Sequence, residues 1–113
     1  MAAEPMEVGR TLADPNKKVL LRFFGSIRAA AGKSNDELSI PSDTTVYGLI
    51  ITVSDIYGVK MRDELLDEKS PDGLRDDLMI TVNDAIINHE KGAGTRINQG
   101  DNVALYPMFP GGG

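Results

Sequence analysis

The sequence predicts an α+β domain in which a mixed sheet of about five strands packs on one main helix. Three observations predict it: apolar and polar residues alternate in several short stretches, one long stretch between them has helical periodicity, and the 113 residues are enough for one modest core. Apolar residues make up 41% of the chain and aromatic residues 5%, so this core must be mainly aliphatic.

Composition excludes several classes of function. Seventeen acidic residues against twelve basic ones give a net charge of −5, which disfavours nucleic acid as a partner because phosphate binding needs clustered Lys and Arg. Cysteine is absent, which excludes disulfides, thiolate nucleophiles and cysteine-based metal sites. No apolar run approaches the roughly 18–20 residues that cross a bilayer, and the N-terminus has no secretory pattern. We therefore expect a cytoplasmic protein with no membrane partner.

The chain divides into three segments. Residues 1–16 contain Pro and Gly with little periodicity and are predicted to be a flexible leader. Residues 17–107 carry the periodic patterns and form the predicted domain. Residues 108–113 are predicted to be an extended tail that ends in three glycines.

The first half of the domain begins with a strand over Val19–Phe24, where alternate residues are placed to face the core. Ser26 is predicted to cap a short helix that Gly32 ends. The next strand, "NDELSIP", closes at Pro41, which places it near a sheet edge or a strand end.

The main helix is predicted in "SDTTVYGLIITVSDIYG". Asp43 or Thr44 is its expected N-cap and Gly58 its expected end. Its apolar residues recur at helical spacing on one face: Val46, Leu49, Ile50, Val53, Ile56 and Tyr57.

The second half holds a short helix around Met61–Leu66 and a turn at Ser70–Gly73. Two strands, "LMITV" and "AIIN", follow; Asn83 and Asp84 join them because both tolerate the positive φ of a tight hairpin turn. The last strand, "VALYP", stops at Pro107.

This order of elements is that of the β-grasp, or ubiquitin-like, architecture. One helix is held by a sheet whose first and last strands lie side by side in the middle. The C-terminus then projects past one end of the sheet.

Alternation along the strands also predicts a docking surface. Where one set of residues faces the helix, the next set faces outward, and an exposed apolar patch marks a contact surface in many proteins. The alternative is that the leader or the long loop covers it. The predicted patch consists of Leu20, Phe24, Met79, Tyr106 and Phe109.

Three stretches carry a family resemblance: "RFFGSIRAAAG", "ITVNDAIINH" and "RINQGDNVALYPMFPGGG". They resemble the MoaD/ThiS sulfur-carrier family, which includes the small subunit of molybdopterin synthase, and equally the archaeal ubiquitin-like small modifier proteins. The resemblance runs from about Lys18 to Gly113. Two features depart from the family pattern: the tail has three glycines after a proline, and the Val59–Asp77 segment is longer than in the shortest members.

The resemblance implies a carrier with no catalysis and no bound cofactor of its own. An adenylating enzyme would use ATP to activate the Gly113 carboxylate, and sulfur transfer would give a thiocarboxylate for molybdopterin synthesis beside the large synthase subunit. The alternative is conjugation of Gly113 to lysines on target proteins. A third possibility is an interaction module whose tail is inert.

The tail suits this chemistry physically. Gly111, Gly112 and Gly113 lack Cβ and fit a narrow tunnel, and Pro107 and Pro110 prevent further strand pairing. At roughly 3.3 Å per residue, its reach is on the order of 20 Å. Against this stands the fact that glycine-rich termini are commonly just disordered.

Other candidate sites are interpreted as structural. His89 has no second ligand or nucleophile nearby in sequence, and "GAGT" at Gly92–Thr95 lacks the Lys and the strand-to-helix context of a phosphate-binding loop. The acidic cluster has the spacing of a solvated helix face rather than of a metal site: Asp63, Glu64, Asp67 and Glu68.

Overall fold

The computed structural model describes residues 16–108, apart from the side chains of Glu90 and Lys91. The predicted leader, up to residue 15, and the tail beyond Met108 lie outside the described residues. The elements in chain order are β1 (Asn16–Phe23), α1 (Gly25–Ala31), β2 (Asn35–Pro41), α2 (Val46–Tyr57), α3 (Val59–Leu65), β3 (Leu78–Val82), β4 (Ala85–Ile87), α4 (His89–Gly92) and β5 (Asn102–Pro107).

The five strands form one mixed sheet in the order β2-β1-β5-β3-β4. The first and last strands, β1 and β5, are parallel neighbours in the middle, with Phe23 opposite Leu105. The other neighbouring pairs are antiparallel. The predicted β-grasp fold is therefore confirmed, including the position of the final strand.

The core lies between the sheet and the helices. Alternate residues of β1 are fully buried, as the period-2 pattern predicts, and the apolar stripe of α2 packs against them. Most of the buried side chains are aliphatic. The largest are Leu21, Phe23, Ile27, Ile40, Leu49, Ile50, Met61, Leu65, Leu74, Ile80, Ile97 and Leu105.

Helix α2 differs from its prediction at its start. Its N-cap is Thr45, whose Oγ1 accepts a hydrogen bond from the Gly48 N–H at 3.1 Å, and not Asp43 or Thr44. Thr44 Oγ1 instead donates to the Pro41 carbonyl at 2.7 Å. A cap residue needs extended backbone angles directly before the first helical residue, and composition alone does not distinguish neighbouring polar residues in this respect.

The predicted apolar face of α2 is correct except at Ile56, which is 55% exposed. Helical residues are about 100° apart around the axis, so Ile56 lies about 80° from Val46, at the margin of the stripe. Gly58, with φ of 92°, ends the helix as predicted and lets α3 begin at once.

Helix α1 also starts differently from its prediction. Its N-cap is Phe24, in extended conformation and without a side-chain cap, while Ser26 lies inside the first turn. The Ser26 hydroxyl donates to Glu64 Oε1 at 2.6 Å, so it joins α1 to α3. Gly32, with φ of 75°, ends the helix as predicted.

Both predicted turns are present. Asn83 and Asp84 have φ of 52° and 72° and form the tight β3–β4 turn. The Gly73 N–H donates to the Ser70 carbonyl at 3.1 Å. The short helix α4 was not predicted, because four residues are too few to show a helical period.

Candidate functional site

The predicted reactive tail leaves the domain from its central strand. β5 pairs with β1 on one side and β3 on the other, and its last pair joins Pro107 to Leu78. The described chain ends one residue later, at Met108. Phe109 and the predicted reactive residues Gly111, Gly112 and Gly113 lie outside the described residues.

Two contacts fix the point where the tail leaves, which we call the tail root and define as Pro107 and Met108. The Met108 N–H donates to the Asp77 carbonyl at 2.6 Å. The Pro107 ring lies against Gly25, where an added Cβ would come within 2.7 Å of Pro107 Cγ. Gly25 also has φ of 55°, so its position favours glycine for conformation as well as for space.

Three of the predicted docking residues meet beside the tail root. The rings of Phe24 and Tyr106 stack, with centroids 4.4 Å apart and planes inclined by 11°. Met79 lies directly opposite Tyr106 on the neighbouring strand β3. The Arg22 guanidinium lies over the Phe24 ring, 5.3 Å from its centroid. All three predicted residues are half-buried, so they form a shallow apolar surface rather than a protruding one.

The fourth predicted residue, Leu20, lies on the same face but at a distance. It is 43% exposed and lies opposite Asn102, four residues before Phe24 on β1. Four strand residues span about 13 Å, and Arg22 lies between the two side chains. Leu20 is therefore on the predicted face but apart from the cluster beside the tail root.

Near the candidate site, two exposed apolar residues were missed by sequence reasoning. Ile86 is 71% exposed and lies opposite Thr81, on the same face as Met79. Met108 is 53% exposed at the tail root. Ile86 belongs to a strand of three residues, too short for alternation to assign its faces, but its position next to the predicted turn was a usable signal.

Residues interpreted as structural have structural contacts. His89 Nε2 donates to the Leu78 carbonyl at 2.7 Å, and its Nδ1 lies 3.8 Å from Asp72 Oδ2. The Gly92–Thr95 loop covers the start of α2, where the carbonyls of Thr95 and Ala93 accept from the first two N–H groups of the helix. Within the described part of the chain, no three His, Asp or Glu residues are placed to share a metal ion.

Two hydrogen-bonded pairs have shifted pKa values. The Tyr57 hydroxyl donates to the Asp36 carboxylate, and this hydrogen bond lowers the pKa of Asp36 below its ordinary value. Burial, and then the same hydrogen bond, raise the pKa of Tyr57. Near the tail root, the hydrogen bond to Asp77 raises the pKa of Arg75, which keeps this side chain charged.

A model of the ThiS family matches residues 21–112, which is most of the chain and includes the final strand β5 and two of the terminal glycines. The chain belongs to the ThiS family. No curated protein sequence matches it.

Solved structures place this ThiS-family chain in the β-grasp fold. The HVO 2177 protein of Haloferax volcanii is similar with a TM-score of 0.73 and 21% identity, over 93% of this chain and 99% of that one. Small archaeal modifier protein 1 (SAMP1) of Methanosarcina acetivorans has a TM-score of 0.68 and 25% identity, over 85% and 97%. A protein described as molybdopterin converting factor, subunit 1, of Pyrococcus furiosus has a TM-score of 0.65 and 24% identity, over 82% and 99%.

ThiS-family membership gives the site its general character. The chain has the fold of small ubiquitin-like sulfur carriers and modifiers, which in general are not catalysts themselves. Of the helices in the described residues, none has the length and apolar character to cross a membrane.

Proposed function

We propose that the chain is a sulfur carrier whose Gly113 carboxylate is adenylated and converted to a thiocarboxylate for molybdopterin, and hence molybdenum cofactor, biosynthesis. The observation that carries this proposal is the tail root. The central strand of a ThiS-family domain is followed directly by an anchored Met108, and five residues come after it, the last three of them glycine.

The chemistry explains why a partner enzyme and ATP are required. A carboxylate is a poor electrophile because its negative charge shields the carbonyl carbon. When a Gly113 carboxylate oxygen attacks the α-phosphorus of ATP, pyrophosphate leaves and an acyl-adenylate forms. A sulfide-level nucleophile then attacks the carbonyl carbon, and AMP leaves with the bonding electrons. The product is a C-terminal thiocarboxylate, and the chain supplies no catalytic group to either step.

The apolar surface beside the tail root is the proposed docking face. Phe24, Tyr106 and Met79 lie together where the tail begins, and stacked aromatic rings are typical anchors of protein interfaces. We assign this face to the adenylating enzyme and, in turn, to the large subunit of a molybdopterin synthase. Leu20, farther along the same face, and Phe109, the next residue after the tail root in sequence, complete the proposed contact set. We expect this chain to meet both partners in the cytoplasm.

A second candidate is a protein modifier joined through Gly113 to lysines of other proteins. The observation that favours it is the similarity to SAMP1 of Methanosarcina acetivorans, whose name describes a modifier. The first step, adenylation of Gly113, is the same. The two functions differ only in whether sulfur or a lysine amine attacks the adenylate.

Mass spectrometry of the full chain, purified from its native cell, tests both candidates. We expect a fraction heavier by one exchange of oxygen for sulfur at Gly113. Deletion of Gly112 and Gly113 should abolish this fraction and leave the unfolding midpoint unchanged, because both residues follow the last anchored position. Deletion of Ala2 and Ala3, which removes two small residues from the other terminus, is the matched control and should leave the sulfur fraction intact.

Three outcomes separate the candidates. A sulfur-bearing terminus supports the carrier function. Larger species that resist reducing agents and contain an isopeptide bond to Gly113 support the modifier. If the chain with intact glycines shows neither product after incubation with ATP and an adenylating enzyme from the same cell, the proposed function is wrong.

A further inference from the structure

The Asp77 carbonyl anchors the tail root, and Arg75 binds the Asp77 side chain. Arg75 donates two parallel hydrogen bonds to the Asp77 carboxylate, from Nε to Oδ1 at 2.9 Å and from Nη2 to Oδ2 at 2.8 Å. Such forked pairs fix the plane and direction of both groups. Asp77 therefore has an oriented side chain and presents its carbonyl to the Met108 N–H.

Arg75 is in turn tied to the end of helix α3. Its Nη1 donates to the Asp63 carbonyl at 2.9 Å, and its backbone N–H donates to the Leu65 carbonyl at 3.0 Å. The Arg75 carbonyl also accepts from the Leu78 N–H at 3.1 Å, directly at the start of β3. One residue thus connects α3, the start of β3 and the residue that anchors the tail.

We propose that Arg75 is a positioning residue for the reactive terminus: it holds the Asp77 peptide in the orientation that anchors the Met108 N–H, from which the last five residues continue. The proposal rests on the proposed function, in which Gly113 is the residue that reacts. The contacts themselves belong to the free protein and can be measured without a partner.

The tail root sets the point from which the last five residues continue, and five residues span at most about 17 Å. Reactions between bound groups require fine placement, since a misplacement of about 1 Å can cost about 100-fold in rate. Gly25 lies on the other side of the root, where the Pro107 ring fills the space that a Cβ would occupy.

A control pair separates an orienting function from a stabilising one. The Arg75 and Asp77 side chains are 36% and 19% exposed, and their forked geometry adds to stability as well as to orientation. Within the described residues, a second Arg–Asp pair joins α3 to α2: Arg62 Nη2 and Asp55 Oδ1 are 3.0 Å apart, and both lie on helices away from the tail root. Arg62 is therefore a matched control.

The first experiment measures hydrogen exchange of the Met108 amide by NMR in the free full-length chain. Arg75→Gln should speed this exchange about tenfold, the equivalent of about 1.4 kcal/mol, because the carbonyl that accepts the Met108 N–H loses its support. Arg62→Gln should leave it unchanged. Arg75→Lys, which keeps the charge but not the fork, should restore only part of the protection. Equal exchange in Arg75→Gln and Arg62→Gln would overturn the proposal.

The second experiment measures ATP–pyrophosphate exchange by an adenylating enzyme from the same cell. Arg75→Gln should lower kcat at least tenfold with little change in KM, because the docking face around Phe24 and Tyr106 is untouched. A purely stabilising residue would leave kcat unchanged at temperatures well below unfolding. A normal kcat in a variant with fast Met108 exchange would overturn the positioning function while leaving the proposed function intact. If the wild-type chain supports no exchange at all, the proposed function fails, and the positioning function fails with it.

Discussion

At the residue scale, the contact between Tyr57 and Asp36 joins the end of the main helix to the edge strand β2. The Tyr57 ring also packs edge-on against Phe23, with centroids 5.5 Å apart. Lys33 lies 3.8 Å from the same carboxylate and above the same ring. A single tyrosine therefore connects a core aromatic residue to the surface charges of β2.

Tyr57→Phe should cost about 1 kcal/mol at neutral pH, because the ring stays and one hydrogen bond to a carboxylate is lost. Tyr47→Phe is the matched control: the Tyr47 side chain is 38% exposed, and its change should lie within about 0.5 kcal/mol. Urea unfolding of both variants measures the difference. Equal losses would show that the Asp36 contact contributes nothing.

The same pair predicts a pH dependence of stability. The pKa of Asp36 is lower in the folded state, so its contribution is present above the ordinary value of about 3.8 and is lost as the pH falls through the folded value. The pKa of Tyr57 is raised by folding, so its contribution is present below about pH 10 and is lost as the pH rises further. The free energy of unfolding of Tyr57→Phe, measured by urea unfolding, should therefore fall less than that of the wild type at both acidic and alkaline pH.

At the element scale, the Thr45 cap fixes where α2 begins, and the apolar stripe of the helix fixes which face packs on the sheet. Thr45 accepts the Gly48 N–H, while the N–H groups of Val46 and Tyr47 donate to carbonyls of the Gly92–Thr95 loop. The backbone N–H groups at the start of α2 therefore find acceptors partly in the helix cap and partly in a loop far away in sequence. The apolar stripe then holds the β-branched helix against the sheet, as its composition requires.

Thr45→Ala should destabilise the domain by about 1 kcal/mol, the usual cost of removing a threonine cap. Asp43→Ala should change stability by less than about 0.5 kcal/mol, because Asp43 is exposed and accepts no N–H of the helix. Thermal unfolding of the two variants decides between the two caps. A larger loss in Asp43→Ala would contradict the assignment of Thr45.

These elements show what the sequence could predict. The longer strands and the main helix were predicted because each carries a periodic pattern long enough to count, whereas the three-residue strand β4 was predicted from the turn before it. The cap at Thr45 and the contact of Ser26 with Glu64 depend on angles and on a partner 38 residues away, which no local pattern records. For the site, the sequence predicted the cluster of Phe24, Met79 and Tyr106 from alternation. It did not predict the Arg75 fork, because two charged residues in a loop look the same whether or not they pair.

At the scale of the whole molecule, the sheet has two unlike faces. One face is covered by the helices and holds the aliphatic core. The other carries Leu20, Phe24, Met79, Tyr106 and Ile86, which are partly or fully accessible. Neighbouring residues of one strand therefore have different roles: one packs in the core, and the next is accessible to a partner.

Leu21→Ala and Leu20→Ala make the same chemical change on opposite faces of β1. Leu21 is fully buried, so its truncation should cost about 2–5 kcal/mol. Leu20 is 43% exposed, and its truncation should cost about 0.5 kcal/mol or less. Urea titration followed by circular dichroism measures both. Similar midpoints for the two variants would contradict the assignment of the faces.

The parallel pairing of β1 and β5 has a practical consequence. Parallel strands start at the same end of a sheet, so the domain is entered at Asn16 roughly 25 Å from Pro107, where the tail departs. A fluorescent fusion, an affinity handle or a surface linkage attached directly before Asn16 therefore joins the far pole of the domain and leaves the Gly113 carboxylate unmodified. The same addition at the carboxyl terminus would turn Gly113 into an internal residue with no carboxylate to activate.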